Sequence, residues 1–268
     1  MKSRIAVTEE ETRAAQLAPD SLAKSIELFQ QHGALWLEGV FQKDLIERLR
    51  IYYEKKYQSL SRKELKKRDA SVGDRRFMIT VNIKGEFNNP ELYANPILLP
   101  LLDKIFSGRF RIASFGSVVA LPGAEDQPIH LDHPPLFGSE ELCKNLPVHA
   151  LTMVVPLVDV SDDVGATAIW EGSHRSADRI EQLRRLMKEP DYSQASFPFT
   201  KQGDAYLMDY RVIHGGRANR SETARPILYI VFSRPWFRDA FNFSSQPSVQ
   251  LNDKQRKKVP KKFRQLFA

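Results

Sequence analysis

The chain has 268 residues, 42% hydrophobic and 27% charged, the balance of a globular protein and not of a disordered one. Its 40 basic and 33 acidic residues leave a net charge of +7, and its single cysteine, Cys143, excludes an internal disulfide and suits a reducing cytoplasm. No apolar run reaches the ~20 residues that span a bilayer. The charged opening MKSRIAVTEEETRAA has no leader-like apolar core, so neither membrane insertion nor secretion is expected.

Barrels and sandwiches of this length fold as one unit, burying roughly 70–75% of the unfolded surface. One domain over 1–268 is therefore expected, with a flexible stretch at 1–20 and a basic helix or tail at 250–268. Asp20 or Ser21 is placed to cap a helix whose Leu22, Ile26 and Phe29 recur at i, i+4 and i+7, and Gly33 ends it. ALWLEGVF reads as a short strand and turn. A second amphipathic helix from about Lys43 sets Leu45, Leu49 and Tyr52 on one face. Residues 60–75 read as a polar, basic loop, and Ile97 to Phe106 as a short apolar helix.

From Arg111 the period shifts towards two. RIASFGSVVAL, VHALTMVVPLV, GDAYLMD and ARPILYIVFSR are strand-like, rich in β-branched and aromatic residues and bounded by Gly, Pro or Asp. One helix interrupts them, from about Ala177 to Lys188, with Ile180, Leu183 and Met187 on one face. Short strands without βαβ alternation argue against a doubly wound sheet. The fold expected is mainly β with surrounding helices: a double-stranded β-helix, jelly-roll or cupin-type core wrapped by N-terminal helices.

Much of the positive charge sits in Arg62-Lys63 with Lys66-Lys67-Arg68, and in QRKKVPKKFR near the C-terminus. These runs lack interleaved aromatics, and no nucleic-acid motif accompanies them. Solvated faces are expected, not a nucleic-acid surface.

Two fragments carry chemistry. In a strand, residues i and i+2 share a face, so His130 and Asp132 can both enter a barrel while Leu131 points away. His214, after GDAYLMD and YRVI, can supply a third ligand from the opposite wall. Two histidines and a carboxylate form the ligand set of a non-haem iron site with open positions; they also serve catalytic zinc. A polar core in which His130 only hydrogen-bonds Asp132 is the third reading. The other histidines fit less well: His133 faces away from Asp132, His149 begins a strand with no nearby acid, and His32 sits at a helix end.

In ARPILYIVFSR, alternation sets Arg225, Ile227 and Tyr229 on one face and Leu228, Ile230 and Phe232 on the other. An arginine heading an inward apolar row is unfavourable unless an anion neutralises it. A carboxylate-bearing co-substrate would do so through a bidentate pair, as would a salt bridge to Asp204 or Asp209. A zinc hydrolase has no evident use for such a co-substrate; an iron oxygenase has.

Four segments then fall into place: FQQHGALWLEGVF followed by DLIERLR, QPIHLDHP, GATAIWEGSHR, and GDAYLMDYRVIHGGRANRSETARPILYIVFSRPWF. Together they resemble the phytanoyl-CoA dioxygenase family of iron(II)- and 2-oxoglutarate-dependent oxygenases, over roughly Phe29 to Phe241. The resemblance implies that His130, Asp132 and His214 hold Fe(II) and that Arg225 meets the distal carboxylate of 2-oxoglutarate. Gln127 and Thr167 match residues that also hold this co-substrate in related natural-product oxygenases. Many such enzymes carry a hydroxyl residue two positions after the arginine. Ile227 stands there here, and Tyr229 is the hydroxyl available on the same face. His174, in the GSHR loop, is expected to hydrogen-bond backbone, and Trp236 and Phe237 to be core residues.

The implied reaction consumes dioxygen, releases succinate and carbon dioxide, and hydroxylates or otherwise oxidises an unactivated C–H bond. Halogenating relatives lack the carboxylate that Asp132 supplies. Residues 60–88 and HPPLFGSEEL are expected to form the substrate wall, with Arg75, Arg76, Met78, Asn82 and Phe137 chosen by position. A free small molecule, such as a secondary metabolite or amino-acid derivative, is the preferred substrate. Arg75, Arg76, Arg217 and Arg220 would favour a CoA or carrier-protein thioester instead. A zinc or metal-free binding protein on the same barrel is the non-oxygenase rival. No nucleic-acid or membrane partner is expected, and the chain is expected to be a monomer or weak homodimer.

Overall fold

The computed structural model describes residues 2–58, 71–243 and 246–267. Its first half runs through β1 (Arg4–Ala6), α1 (Glu9–Ala14), α2 (Pro19–His32), β2 (Ala34–Glu38), α3 (Lys43–Tyr53), β3 (Arg76–Thr80), α4 (Pro90–Tyr93) and α5 (Leu98–Phe106). The second half adds β4 (Arg111–Ala120), α6 (Glu140–Asn145), β5 (Ala150–Pro156), β6 (Thr167–Trp170) and α7 (Arg179–Lys188). It ends with β7 (Ala205–Asp209), β8 (Ile213–Gly216), β9 (Arg225–Ser233) and α8 (Asp253–Lys258). The loop expected at 60–75 falls largely on residues 59–70, outside those described.

Seven strands form one sheet in the order β1-β2-β7-β5-β9-β4-β3, and β6 pairs with β8 in a second. Single bridges widen the small sheet, His130 to His214 on one side and Ile169 to Ser196 on the other. An apolar cluster joins the two: Trp36, Val154, Tyr206, Met208 and Ile227 from the large sheet meet Ile169 and Val212. This is the jelly-roll arrangement expected from the strand pattern. On its other face the large sheet presents Leu151, Met153, Leu228, Ile230 and Phe232 to α2, α3 and α5, which contribute Phe29, Leu45, Leu49, Leu101 and Phe106. Every residue of β9 is buried, because helices cover one face and the facing sheet covers the other.

Residues paired across an antiparallel ladder share a face, so the register writes four rows across the inner face. Arg76, Ala120 and Arg225 form the first; Met78, Val118 and Ile227 the second. Gly116, Tyr229, Val154 and Tyr206 form the third, and Ser114, Val231, Thr152 and Met208 the fourth. A cationic row thus lies at one end and a row of small and hydroxyl side chains at the other.

Two expectations need correction. Helix α2 begins at Pro19 with Ala18 as a cap lacking a side-chain bond, so Asp20 lies inside the first turn. Proline at the first helical position supplies the start, with φ already set and no N–H to satisfy. Residues 2–20 are not a loose leader: β1 pairs in parallel with β2, and Thr8 and Glu11 form a capping box on α1. At 250–267 the basic helix, one of the two alternatives expected there, is present as α8, and a 3-10 segment over Lys261–Phe267 follows it and buries Leu266 and Phe267, the latter edge-on to Tyr93.

Candidate metal centre

His130 and His214 face each other as an antiparallel bridge, exchanging backbone hydrogen bonds of 2.9 and 3.0 Å. Each ring is fixed by its own chain. Nδ1 of His130 lies 2.8 Å from the Pro128 carbonyl, and Nδ1 of His214 lies 3.0 Å from the Val212 carbonyl. A carbonyl only accepts, so each Nδ1 carries a proton, and Nε2 is the nitrogen each ring turns towards a metal. Asp132 brings Oδ1 to 3.4 Å from His214 Nε2. One donor atom from each of the three residues lies within 4.8 Å of the others. Neighbouring ligands about 2.1 Å from a shared ion stand roughly 3.0–3.4 Å apart, the separation that His214 Nε2 and Asp132 Oδ1 already have.

Asp132 is held from two sides. Thr152 Oγ1 donates to Oδ2 at 2.8 Å, and Asn242 Nδ2 donates to the Asp132 backbone carbonyl at 2.6 Å. Thr152 occupies one carboxylate oxygen and leaves the other facing His214. Burial, reinforced by the charge of His214, pushes the His130 imidazole down to about 4, so it is neutral and ligand-ready near pH 7. Burial also disfavours charge on Asp132 and His214. Their mutual attraction outweighs it, holding the carboxyl below and the imidazole above their ordinary values.

At the other end stands Arg225, 2% exposed, with no hydrogen bond or ion pair among the described residues. The acids that might have neutralised it are otherwise engaged. Asp209 forms a two-pronged pair with Arg211, and Asp204 accepts from the backbone N–H of Gly39 and Lys201. Arg76, 0% exposed, donates Nη2 to the carbonyls of Glu125 and Arg217 at 3.1 and 2.9 Å, while Nε and Nη1 have no partner among the described residues. Burial, then the like charge of Arg225, lowers Arg76 to about 9. Gly216 makes room for it, because a Cβ there would lie 2.6 Å from Arg76 Nη1. Two buried guanidinium groups in one row, with no carboxylate between them, leave an anion-sized deficit.

The triad and both arginines line one cavity of about 210 Å³, together with Gln127, Thr167, Tyr229 and Met78. Gln127 Oε1 accepts from the Gly216 N–H at 3.3 Å, and Thr167 Oγ1 lies 2.8 Å from the Tyr206 hydroxyl. Three residues chosen by position lie elsewhere. Asn82, beyond β3, bridges to Gln250 and meets the Tyr57 hydroxyl through its N–H. Phe137 is 50% exposed, in a surface hollow beside Ile180 and Arg184. Arg75 donates to the Pro122 carbonyl at the surface. His174 is buried, with Nε2 3.1 Å from the Gln30 carbonyl. Phe237 is buried, but Trp236 is 63% exposed, because Phe237 takes the inward place against His149 and Tyr210.

Sequence reasoning passed over Thr152, Ser114, Tyr210 and Asn242, all of which line the cavity. The alternation of VHALTMVVPLV already put Thr152 on the face opposite Leu151 and Met153. Asn242 has no such signal, since it reaches Asp132 only through the fold.

The family model for phytanoyl-CoA dioxygenase matches residues 29–227. The dioxygenase trt7 of Aspergillus terreus is 21% identical over 206 residues, 75% of this chain and 70% of that protein. HygX from Streptomyces hygroscopicus, solved with nickel and 2-oxoglutarate, matches with a TM-score of 0.63 at 17% identity, over 83% of this chain and 89% of that one. AviO1 from Streptomyces viridochromogenes matches with a TM-score of 0.63 at 20% identity, over 83% of this chain and 99% of that one. HygX has also been solved with hygromycin B bound. At these identities the structural likenesses show a shared fold.

Proposed function

The chain belongs to the phytanoyl-CoA dioxygenase family, and on that premise we propose that it is an iron(II)- and 2-oxoglutarate-dependent oxygenase acting on an unactivated C–H bond of a small molecule. One observation carries the reading: a His-Asp-His triad shares its cavity with a buried arginine that has no anionic partner among the described residues. The triad alone would also suit zinc; the unpaired guanidinium supports the oxygenase.

His130, Asp132 and His214 are the residues that would hold the iron, and the donor set fits: two imidazole nitrogens and a carboxylate oxygen, with room for other ligands. When bound, the iron couples oxidative decarboxylation of 2-oxoglutarate, to succinate and carbon dioxide, to oxidation of the substrate by dioxygen. The protein's part is to bind, orient and exclude water. Thr152 occupies Asp132 Oδ2, so the carboxylate offers one oxygen and the remaining positions stay open. Arg225 would pair with the distal carboxylate of 2-oxoglutarate through two parallel N–H bonds. Arg76, in the same row, would add its free N–H groups, and Gln127 and Thr167 would bound the same end. Asp132 favours hydroxylation or a related oxidation such as desaturation, epoxidation or ring formation over halogenation.

A free small molecule is better supported than a CoA or carrier-protein thioester. Of the four arginines that would attract such a polyanion, Arg76 lies within the cavity and Arg75 is tied to a carbonyl. Arg217 stacks on Tyr192 with its guanidinium carbon 3.7 Å from the ring centre, and meets Asp126 at 3.4 Å. Anaerobic titration with ferrous iron and 2-oxoglutarate tests the reading through the visible charge-transfer band of the chelate and, once air is admitted, through succinate release. A protein that retains zinc and never consumes 2-oxoglutarate overturns it.

A further inference from the structure

The cavity is bordered by buried polar atoms without partners, and they fall into two groups. Arg76 and Arg225 form one. The hydroxyls of Ser114 and Tyr229 form the other, both buried and both without a hydrogen bond among the described residues. The hydroxyl group is built into the sheet. A Cβ at Gly116 would lie 2.4 Å from the Tyr229 hydroxyl, so the glycine is what lets that ring lie across β4. Ser114 shares a row with Val231 and Thr152, and the Thr152 hydroxyl holds Asp132. Two strand spacings, about 10 Å, therefore separate the backbone of Ser114 from that of the residue touching the metal carboxylate.

Among the described residues, no cation stands at this end to meet an acid. Apart from the triad, the charged residues among those described as lining the cavity are the two arginines. The nearby polar groups are engaged. Tyr210 donates to Asp239 at 3.1 Å, and Asn242 Nδ2 donates to Asp239 Oδ2 at 2.9 Å as well as to the Asp132 carbonyl. Both N–H bonds of Asn242 are thus taken, which leaves Oδ1 as an acceptor. Met78, Val231 and Phe243 supply the apolar remainder. Among the described residues, a carboxylate or phosphate here would face Asp132 with no cation to balance it, and an ammonium would find acids already bonded. An alcohol or ketone oxygen, in contrast, suits two hydroxyls that can each donate or accept.

We infer that the part of the substrate reaching the metal is an uncharged, largely apolar carbon skeleton bearing a hydroxyl or carbonyl oxygen, which Ser114 and Tyr229 receive. The inference rests on the reading of Arg76 and Arg225 as the 2-oxoglutarate end. It moves Tyr229, two rows from Arg225, from that co-substrate to the substrate.

The test uses the full chain loaded with zinc, a redox-inert and diamagnetic stand-in for iron, and saturated with 2-oxoglutarate. Cyclohexanol, 2-decalol and the carboxylic acids of the same two ring systems are titrated in, with binding read by saturation-transfer NMR. The alcohols are expected to bind, and Ser114→Ala or Tyr229→Phe to weaken them about fivefold, the weight of one hydrogen bond. Calorimetric affinity for 2-oxoglutarate stays unchanged in both variants. The acids bind about tenfold more weakly than the alcohols, as expected when a buried charge goes unpaired. Tighter binding of the acids, no binding of the alcohols, or alcohol affinities indifferent to both substitutions overturns the inference. Each substitution removes one oxygen that has no partner among the described residues, so the fold is expected to be retained. Failure of the unsubstituted protein to bind 2-oxoglutarate is a separate result that overturns the co-substrate reading.

Discussion

The two faces of β9 are built from one stretch of chain to opposite standards. Leu228, Ile230 and Phe232 look towards the helices and join a continuous apolar core. Arg225, Ile227, Tyr229 and Val231 look into the cavity, where a guanidinium nitrogen and a phenol oxygen lack partners among the described residues. Buried polar atoms are paired in the great majority of native structures. A face that breaks this rule, backed by one that keeps it, is a surface made for something that binds. The core face should control stability and the cavity face should control chemistry, and that division can be attacked directly.

The largest effect is expected from His130→Ala, which should abolish both metal retention and turnover. Metal content after desalting measures the first, and a variant that keeps a full complement of iron contradicts the assignment. Arg225→Met comes next. Loss of the pair to the distal carboxylate costs ~3–5 kcal/mol, so the 2-oxoglutarate requirement should rise by roughly two to three orders of magnitude. The same change removes a buried, unneutralised cation, so the melting temperature without ligand should hold or rise. A lower melting temperature with an unaltered 2-oxoglutarate requirement would show that Arg225 serves the fold.

Leu228→Ala, on the opposite face, should do the converse. It should destabilise by about 2–5 kcal/mol, read by chemical denaturation, with the 2-oxoglutarate requirement untouched. Thr152→Val sits between the extremes. Metal affinity should fall about tenfold, with altered visible spectra of the cobalt(II)-loaded protein, and Thr152→Ser should restore both. A serine variant as impaired as the valine variant would make Thr152 a packing residue.

The smallest effect lies far from the cavity. Burial raises the Glu11 carboxyl, but hydrogen bonds from Ser21, Thr8 and Ala18 outweigh it and bring the group down to about 2. A carboxyl lowered on folding stabilises above its unfolded value and loses that contribution as pH falls towards the folded one. Between pH 5 and 3, values about the unfolded carboxyl range, Glu11→Gln should therefore lose less stability than the unsubstituted chain, as denaturant midpoints at the two pH values would record.

The sequence made the cavity face legible wherever strand alternation was enough. A period of two aligned His130 with Asp132 and separated Arg225 from Leu228, and the structure brings the triad and the arginine into one cavity. Alternation assigns a face but not a neighbour. Ser114, Thr152 and Tyr229 therefore became a group only once the register of β4, β9 and β5 was known. Asn82 and Phe137 were chosen by nearness in sequence, which does not measure nearness in space. The Thr8–Glu11 capping box was readable and was overlooked, whereas three-residue β1 has no local signal and exists because β2 offers it an edge.

The bridge between His130 and His214 has a mechanical consequence. These side chains hang from a single rung of the backbone ladder, each residue's amide clasping the other's carbonyl. An ion gripping both rings would rivet that rung through the side chains as well. Metal loading should then slow amide-hydrogen exchange at 130 and 214 together, so that two distant stretches of chain unzip as one.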